Sequence, residues 1–209
     1  MGDYVVHIID DDEQVRKSLA FLLTTAGFTV RAHESARNFM EAAPGLRNGC
    51  LVTDLRMPDM TGVELLHTLR SVHATVPTII ITGHGDVSMA VEAMKAGAID
   101  FIEKPFADDV LIEAIKRAGD HLADKAPDAD DAATLQARLA ELSERERQVL
   151  TGIVAGLPNK SIAYDLKISP RTVEVHRANV MSKMQARNLP DLVRMALAAN
   201  LAAPDGPNP

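Results

Sequence analysis

The chain has 209 residues, enough for one large domain or two small ones, and it is 46% hydrophobic and 24% charged. No apolar run is long enough to cross a bilayer, and the N-terminus lacks the basic region of a signal peptide, so a cytoplasmic protein without a membrane partner is expected. Cys50 is the only cysteine, which excludes an internal disulfide and fits a reducing compartment.

Charge is distributed unevenly along the chain, whose formal net charge is −7. Residues 1–125 carry 12 Lys and Arg against 19 Asp and Glu, residues 126–142 carry 1 against 4, and residues 143–209 carry 9 against 6. An acidic front and a weakly basic back predict two modules with different partners. The basic excess is small, so charge alone leaves nucleic-acid binding open.

Short apolar stretches alternate with amphipathic stretches in the first part of the chain. The apolar stretches predict strands at residues 4–9, 28–33, 49–54, 78–82 and 100–104. The amphipathic stretches predict helices at residues 13–27, 36–43, 61–73, 86–97 and 107–122. This alternation predicts an α/β fold, a doubly wound five-stranded parallel sheet with both faces covered, whose functional residues collect at the carboxyl ends of the strands.

The rest of the chain is predicted to be helical. Residues 124–141 begin acidic and Ala-rich and then place leucines at helical spacing, which indicates a linker that becomes helical toward its end; one long helix interrupted near Pro127 is the alternative. Helices follow at residues 143–156, 159–167, 169–186 and 189–201. The predicted division is therefore a first domain at 1–123, the linker at 124–141, an all-α four-helix domain at 142–203 and a disordered tail at 204–209.

Polar side chains stand at the carboxyl ends of four predicted strands: Asp10, Asp11, Asp12 and Glu13, then Asp54, then Thr82, then Lys104. Crowded carboxylates are unfavourable unless a cation neutralises them, and their oxygen atoms favour Mg²⁺. Lys104 and Thr82 add an ammonium and a hydroxyl on the opposite side. The set predicts a pocket for a phosphoryl group with a carboxylate nucleophile. Asp12 and Glu13 are more simply the cap and first turn of the first helix.

The stretches "IIDDDE", "VTDLRMPDMTG", "IIITGHGD" and "DFIEKPF" resemble the receiver domain of bacterial two-component response regulators over residues 4–122. The resemblance implies that Asp54 accepts a phosphoryl group from a sensor histidine kinase. It also implies that Mg²⁺ is bound directly by Asp11, Asp54 and the backbone carbonyl of Arg56, with Asp10 acting largely through water.

The same resemblance assigns roles on the other side of the pocket. Thr82 and Lys104 match the hydroxyl and the lysine that meet the phosphate, and Phe101 stands in the place of an aromatic switch residue. When Thr82 moves to the phosphate, Phe101 is expected to rotate inward, which would change the face made by the fourth helix, fifth strand and fifth helix.

Residues 142–197 resemble the helix-turn-helix of the LuxR/NarL class, whose second helix enters the major groove. The residues expected to form its core are Val149, Leu150, Ile153, Ile162, Ala163, Leu166, Ile168, Val173, Val180 and Met184. The expected DNA-binding residues are Lys160, Arg171, Thr172, Glu174, Val175, Arg177 and Lys183. Glu174 and Val175 are the expected base-facing pair, and Lys160, Lys183 and Arg187 the expected phosphate contacts. His176 faces either DNA or the packed interior.

Together the two resemblances identify a member of the NarL/FixJ class of transcription factors. Such a protein is not an enzyme: it is phosphorylated by its kinase, dimerises, binds promoter DNA and activates transcription with RNA polymerase. The stretches "ITGHGDV", "AVEAMKAGAIDFIEKPF" and "SPRTVEVHRANVMSKMQA" resemble the nitrogen-fixation members of that class most closely. This implies a FixL-like, haem-based oxygen-sensing kinase and nitrogen-fixation or microaerobic target genes.

Three other classes fit the sequence less well. A phosphatase of the haloacid dehalogenase type needs a second Asp two residues after its nucleophile, where this chain has Arg56. A nucleotide-binding enzyme needs a glycine-rich loop after the first strand, where this chain has "DDDE". A LuxR-like sensor of a small apolar signal is hard to reconcile with an acidic pocket and only 3% aromatic residues.

Overall fold

The computed structural model describes residues 4–42, 48–72, 74, 76–83, 86–123 and 129–201. Its strands are β1 (Val5–Ile9), β2 (Thr29–His33), β3 (Gly49–Asp54), β4 (Thr78–Thr82) and β5 (Asp100–Glu103). The helices of the first part are α1 (Glu13–Thr25), α2 (Ala36–Ala42), α3 (Gly62–Ser71), α4 (Val87–Ala96) and α5 (Asp108–Ala123). The helices of the second part are α6 (Ala129–Ala140), α7 (Glu144–Val154), α8 (Asn159–Leu166), α9 (Pro170–Met184) and α10 (Leu189–Ala198).

All strand pairs of the sheet are parallel, in the order β2-β1-β3-β4-β5. Side chains alternate between the two faces of a strand, so each face has its own core. On one face Val6, Ile8 and the middle of β3 and β4 pack with Leu23 of α1 and Ile115 of α5. On the other face Ile9 packs with Phe39 of α2 and with residues of α3. The predicted parallel sheet with both faces covered is confirmed.

The register brings the carboxyl ends of neighbouring strands level. Ile9 pairs with Thr53, Asp54 with Ile81, and Thr82 with Glu103. The residues that end β1, β3, β4 and β5, or that follow them, therefore lie at one edge of the sheet. That edge is where the sequence places its carboxylates, its hydroxyl and its lysine.

The helices of the second part begin where the sequence predicts. Ser143 caps α7 in a capping box with Glu146, and Ser169 caps α9 by accepting a hydrogen bond from the amide of Thr172. Of the ten residues expected in this core, all but Leu166 and Ile168 are buried, and these two are half-buried. The predicted tail lies outside the described residues, as do residues 124–128 of the linker, while α6 lies within the predicted linker.

The described residues divide into two compact units, one of residues 4–83 and 96–123 and the other of residues 86–95 and 129–201. Among the helices that the structure describes, none is long and apolar enough to span a bilayer.

Candidate functional site

Lys104 joins two carboxylates at the edge of the sheet. Its Nζ lies 3.0 Å from Oδ2 of Asp10 and 3.1 Å from Oδ1 of Asp54. Asp10 follows β1 and is only 2% exposed, Asp54 ends β3 and is half-buried, and Lys104 follows β5. Burial acts to lower the pKa of Lys104, but its hydrogen bonds to Asp10 and Asp54 outweigh burial and raise that pKa. The ammonium is therefore a fixed positive charge between two carboxylates.

Neighbouring groups hold Asp10 in place. The amide of Asp12 donates to Oδ1 of Asp10 at 2.9 Å, and Nη1 of Arg16 donates to the backbone carbonyl of Asp10 at 2.6 Å. Asp12 in turn caps α1, because its side chain accepts from the amides of Gln14 and Val15. The predicted cap at Asp12 is confirmed, and Arg16 is a contact that sequence analysis missed.

Asp54 is fixed by the turn that follows β3. The amide of Arg56 donates to Oδ2 of Asp54 at 2.9 Å. Gly62 begins α3 against this turn, and a Cβ on Gly62 would lie 2.9 Å from the carbonyl oxygen of Asp54. A side chain at position 62 would therefore push β3 and α3 apart. The cap of α3 is Thr61, in a capping box with Glu64 that was not predicted.

The carboxylates of this pocket suit Mg²⁺ by chemistry but are not gathered around one point. Asp10, Asp11 and Asp54 supply the carboxylate oxygens that Mg²⁺ prefers, and two of them, Asp10 and Asp54, contact Lys104. Within the residues that the structure describes, no group of three His, Cys, Asp or Glu side chains is arranged to hold a metal ion. Asp11 is exposed, and Asp10 and Asp54 turn toward Lys104 instead. These carboxylate oxygens thus fit a cation that would neutralise Asp10 and Asp54 together with Lys104.

Thr82 and Phe101 lie on the two neighbouring strands beyond Asp54. Thr82 ends β4 and is 1% exposed, and its carbonyl accepts a hydrogen bond of 2.7 Å from the amide of Lys104. Phe101, on β5, pairs in register with Ile80 and is only 8% exposed. The expected inward rotation of Phe101 stays a prediction, and in this conformation the ring is already covered.

Helices α8 and α9 form the predicted helix-turn-helix. Lys167 ends α8 in the left-handed conformation, at φ 55°, and Ser169 starts α9 two residues later. On α9, Val173 is buried, whereas Arg171, Glu174 and Val175 are exposed, Val175 to 55%. Thr172 is half-buried with its hydroxyl 2.8 Å from that of Ser169, and Lys160 is exposed on α8. An exposed helix face opposite a packed one is the geometry that a major groove accepts.

Three of the basic residues that were expected to bind DNA form hydrogen bonds within the protein: Arg177, Lys183 and Arg187. Nη1 of Arg177 donates to Oδ1 of Asn159 at 3.2 Å, and burial lowers the pKa of Arg177. Nζ of Lys183 donates to the carbonyl of Glu141 and to Oε2 of Glu146, at 3.1 and 2.7 Å. The hydrogen bond that Glu146 accepts from Lys183 lowers the pKa of Glu146 most, followed by the one from the Ser143 amide, and brings it to about 2. Arg177 and Lys183 therefore tie elements together.

The third of these cations is Arg187. Its Nε donates to Oδ2 of Asp191 at 3.0 Å and its Nη2 donates to Oδ1 at 3.2 Å. Arg194 also donates to Asp191, which is 5% exposed. Burial acts to raise the pKa of Asp191, but the hydrogen bonds from both arginines hold it far below its ordinary value. Arg187 and Arg194 thus neutralise a buried carboxylate in the first turn of α10.

Family comparisons match both parts of the chain. Residues 6–116 match the family described as "Response regulator receiver domain", and residues 140–196 match "Bacterial regulatory proteins, luxR family". The chain is 69% identical over 198 residues to the transcriptional regulatory protein FixJ of Rhizobium meliloti, covering 95% of this chain and 97% of that protein. It is 54% identical over 204 residues to FixJ of Azorhizobium caulinodans, covering 98% and 97%.

Solved structures match in the same way. Full-length FixJ from B. japonicum superposes with a TM-score of 0.55 at 50% identity, covering 96% of this chain and 99% of that one. The crystal structure of FixJ-N superposes with a TM-score of 0.56 at 67% identity, covering 58% of this chain and 97% of that one.

Proposed function

Because this chain belongs to the two-component response regulators that carry a receiver domain and a LuxR-type DNA-binding domain, we propose that Asp54 accepts a phosphoryl group from a sensor histidine kinase. The protein is a transcriptional regulator of a two-component system. The observation that carries the proposal is the position of Asp54, half-buried at the end of β3 with its Oδ1 held 3.1 Å from Lys104.

The transfer is a single displacement at phosphorus. A carboxylate oxygen of Asp54 forms the new P–O bond while the P–N bond of the kinase phosphohistidine breaks, and the imidazole leaves with the bonding electron pair. Lys104, whose Nζ donates to Oδ1 of Asp54, is proposed to donate to a phosphate oxygen instead. Thr82 lies at the end of the adjacent strand, where its hydroxyl is proposed to donate to a second phosphate oxygen.

Mg²⁺ is the proposed cofactor, held by Asp11, Asp54 and the carbonyl of Arg56, with Asp10 acting largely through water. When bound, it supplies positive charge that offsets the charge of the incoming phosphoryl group. The protein itself orients the pocket: the amide of Asp12 and the guanidinium of Arg16 fix Asp10, and the amide of Arg56 fixes Asp54.

The proposed output is binding to promoter DNA through α8 and α9. Phosphorylation adds negative charge and acceptor oxygens at Asp54, and a shift of Thr82 and Phe101 transmits the change to the face of α4, β5 and α5. Dimerisation through that face would place two copies of α9 on two half-sites. The base-facing pair is proposed to be Glu174 and Val175, both exposed near the start of α9.

The partners of the pathway follow from the same family. A cytoplasmic regulator that is not an enzyme is proposed to receive its signal from a FixL-like kinase and to act on RNA polymerase at nitrogen-fixation or microaerobic promoters. Two relatives at 69% and 54% identity are transcriptional regulatory proteins named FixJ, which supports this assignment.

Intact-mass measurement tests the phosphoacceptor directly. The full chain is incubated with acetyl phosphate and Mg²⁺, and the same samples are sized by chromatography, for wild type and Asp54→Asn. One phosphate adduct on wild type alone, together with a shift to a dimer, is the expected result. An adduct that persists in Asp54→Asn would show that another residue is the acceptor. If acetyl phosphate labels neither protein, labelling by the histidine kinase is tested next. The proposal is abandoned if the kinase also fails to label wild type.

A further inference from the structure

One ring nitrogen on the recognition helix is buried without a partner. Among the described residues, Nδ1 of His176 is the one buried side-chain nitrogen or oxygen that makes no hydrogen bond. His176 as a whole is half-buried on α9, directly after the exposed Val175. The other ring nitrogen, Nε2, makes no hydrogen bond within the described part of the chain. Because only Nδ1 is both buried and without a partner there, Nε2 reaches solvent.

The two nitrogens differ in what they offer. A buried N–H without an acceptor is rarer, and so more costly, than a buried acceptor that lacks a donor. The uncharged ring therefore keeps its lone pair on the buried Nδ1 and its hydrogen on Nε2. His176 thus presents one N–H donor toward solvent, and the buried edge of the ring fixes its direction.

The position of His176 on α9 indicates which acceptor it meets. Val173, Val180 and Met184 are buried and define the packed side of the helix. At 100° per residue, His176 lies between that side and the exposed side, on the same flank as Thr172 one turn earlier. When the exposed side of a recognition helix enters the major groove, its flanks lie nearest the phosphates of the groove wall.

We propose that Nε2–H of His176 donates a hydrogen bond to a DNA phosphate, and that His176 is a DNA-binding residue of the recognition helix. The inference rests on the proposed function, since it needs α9 to enter a groove. The buried Nδ1 takes no part in this contact and only fixes which nitrogen carries the hydrogen and where the ring points. The contact is to the backbone, so it adds affinity without choosing a sequence.

Two substitutions separate this role from packing. His176→Phe keeps a ring against the interior but has no donor, whereas His176→Gln loses the ring but places an amide N–H near the position of Nε2. The full chain, phosphorylated with acetyl phosphate, is titrated by fluorescence anisotropy against two duplexes of unrelated sequence at about pH 8, where an ordinary histidine is uncharged. Melting temperatures confirm that each variant is folded, and His176→Leu replaces His176→Phe if the latter does not fold.

The expected result is a loss of about tenfold in affinity for His176→Phe on both duplexes, the value of one hydrogen bond to a charged acceptor. His176→Gln is expected to stay within about threefold of wild type. Because the donor is uncharged, neither variant changes the slope of log affinity against log salt, whereas removing a phosphate-bound lysine lowers that slope by about one.

If His176→Phe binds DNA as tightly as wild type and His176→Gln binds it more weakly, His176 acts in packing and the proposal is overturned. A loss confined to one duplex would replace the phosphate by a base as the acceptor and would also overturn it. Wild-type protein that binds neither duplex would contradict the proposed function itself, so the two failures are distinguishable.

Discussion

Removing the side chain of Lys183 tests whether this residue stabilises the helical unit or binds DNA. In the structure its Nζ lies 2.7 Å from Oε2 of Glu146, whose side chain is 6% exposed, while that of Lys183 is 37% exposed. Breaking a fully buried ion pair costs about 3–5 kcal/mol and losing an exposed pair costs less than about 1 kcal/mol. With one partner buried and the other reached by water, Lys183→Ala is expected to lower the free energy of unfolding by about 2 kcal/mol.

The assay is urea denaturation of the full chain followed by far-UV circular dichroism. Lys160→Ala is the matched control, because Lys160 is exposed on α8 and makes no ion pair in the part of the chain that the structure describes. A Glu146→Gln, Lys183→Met double variant removes the buried charge together with its partner, so its loss should be smaller than that of Lys183→Ala. Unchanged stability of Lys183→Ala, combined with weaker DNA binding and a lower salt slope, would refute the reasoning and restore Lys183 as a phosphate contact.

Three further outcomes are expected. Burial, aided by His33 and Arg31, lowers the pKa of His7 from 6.5 to about 4, so the folded state resists protonation. This contribution to the free energy of unfolding is complete above pH 6.5 and is lost as the pH falls toward 4, by about 3 kcal/mol in all. In His7→Leu this acid-induced loss should be smaller. A pH dependence of unfolding that is the same in His7→Leu and wild type would contradict the prediction. Lys104→Ala should slow adduct formation with acetyl phosphate at least about tenfold in intact-mass time courses, with Lys104→Arg as the charge-preserving control. Lys160→Ala should lower the slope of log affinity against log salt by about one on any duplex, and an unchanged slope would remove it from the phosphate contacts.

Elements that depend on local pattern could be predicted from the sequence. The bounds of β3 and β4 agree with the predicted strands, because continuous apolar runs ended by polar residues mark buried parallel strands. The meeting of Asp54 with Lys104, 50 residues apart, was also predictable, since parallel topology brings the carboxyl ends of strands together.

Contacts between distant helical residues could not be predicted. Lys183 and Glu146 are 37 residues apart, and a lysine in the last turn of a recognition helix suits a phosphate contact as well as an ion pair. Arg177 and Asn159 meet across 18 residues for the same reason. The stacked rings of His7 and His33 follow from the pairing of β1 with β2, which hydrophobic periodicity does not reveal.

The most direct test of the central claim is whether phosphorylation of Asp54 controls DNA binding. A duplex is first enriched from a random-sequence pool by the phosphorylated wild-type protein. Its affinity is then measured with and without acetyl phosphate and Mg²⁺, for wild type and Asp54→Asn. Tighter binding upon phosphorylation in wild type, and no change in Asp54→Asn, is the predicted result. An equal increase in both proteins, or none in wild type that carries the phosphate adduct, would contradict the claim that Asp54 gates the helix-turn-helix.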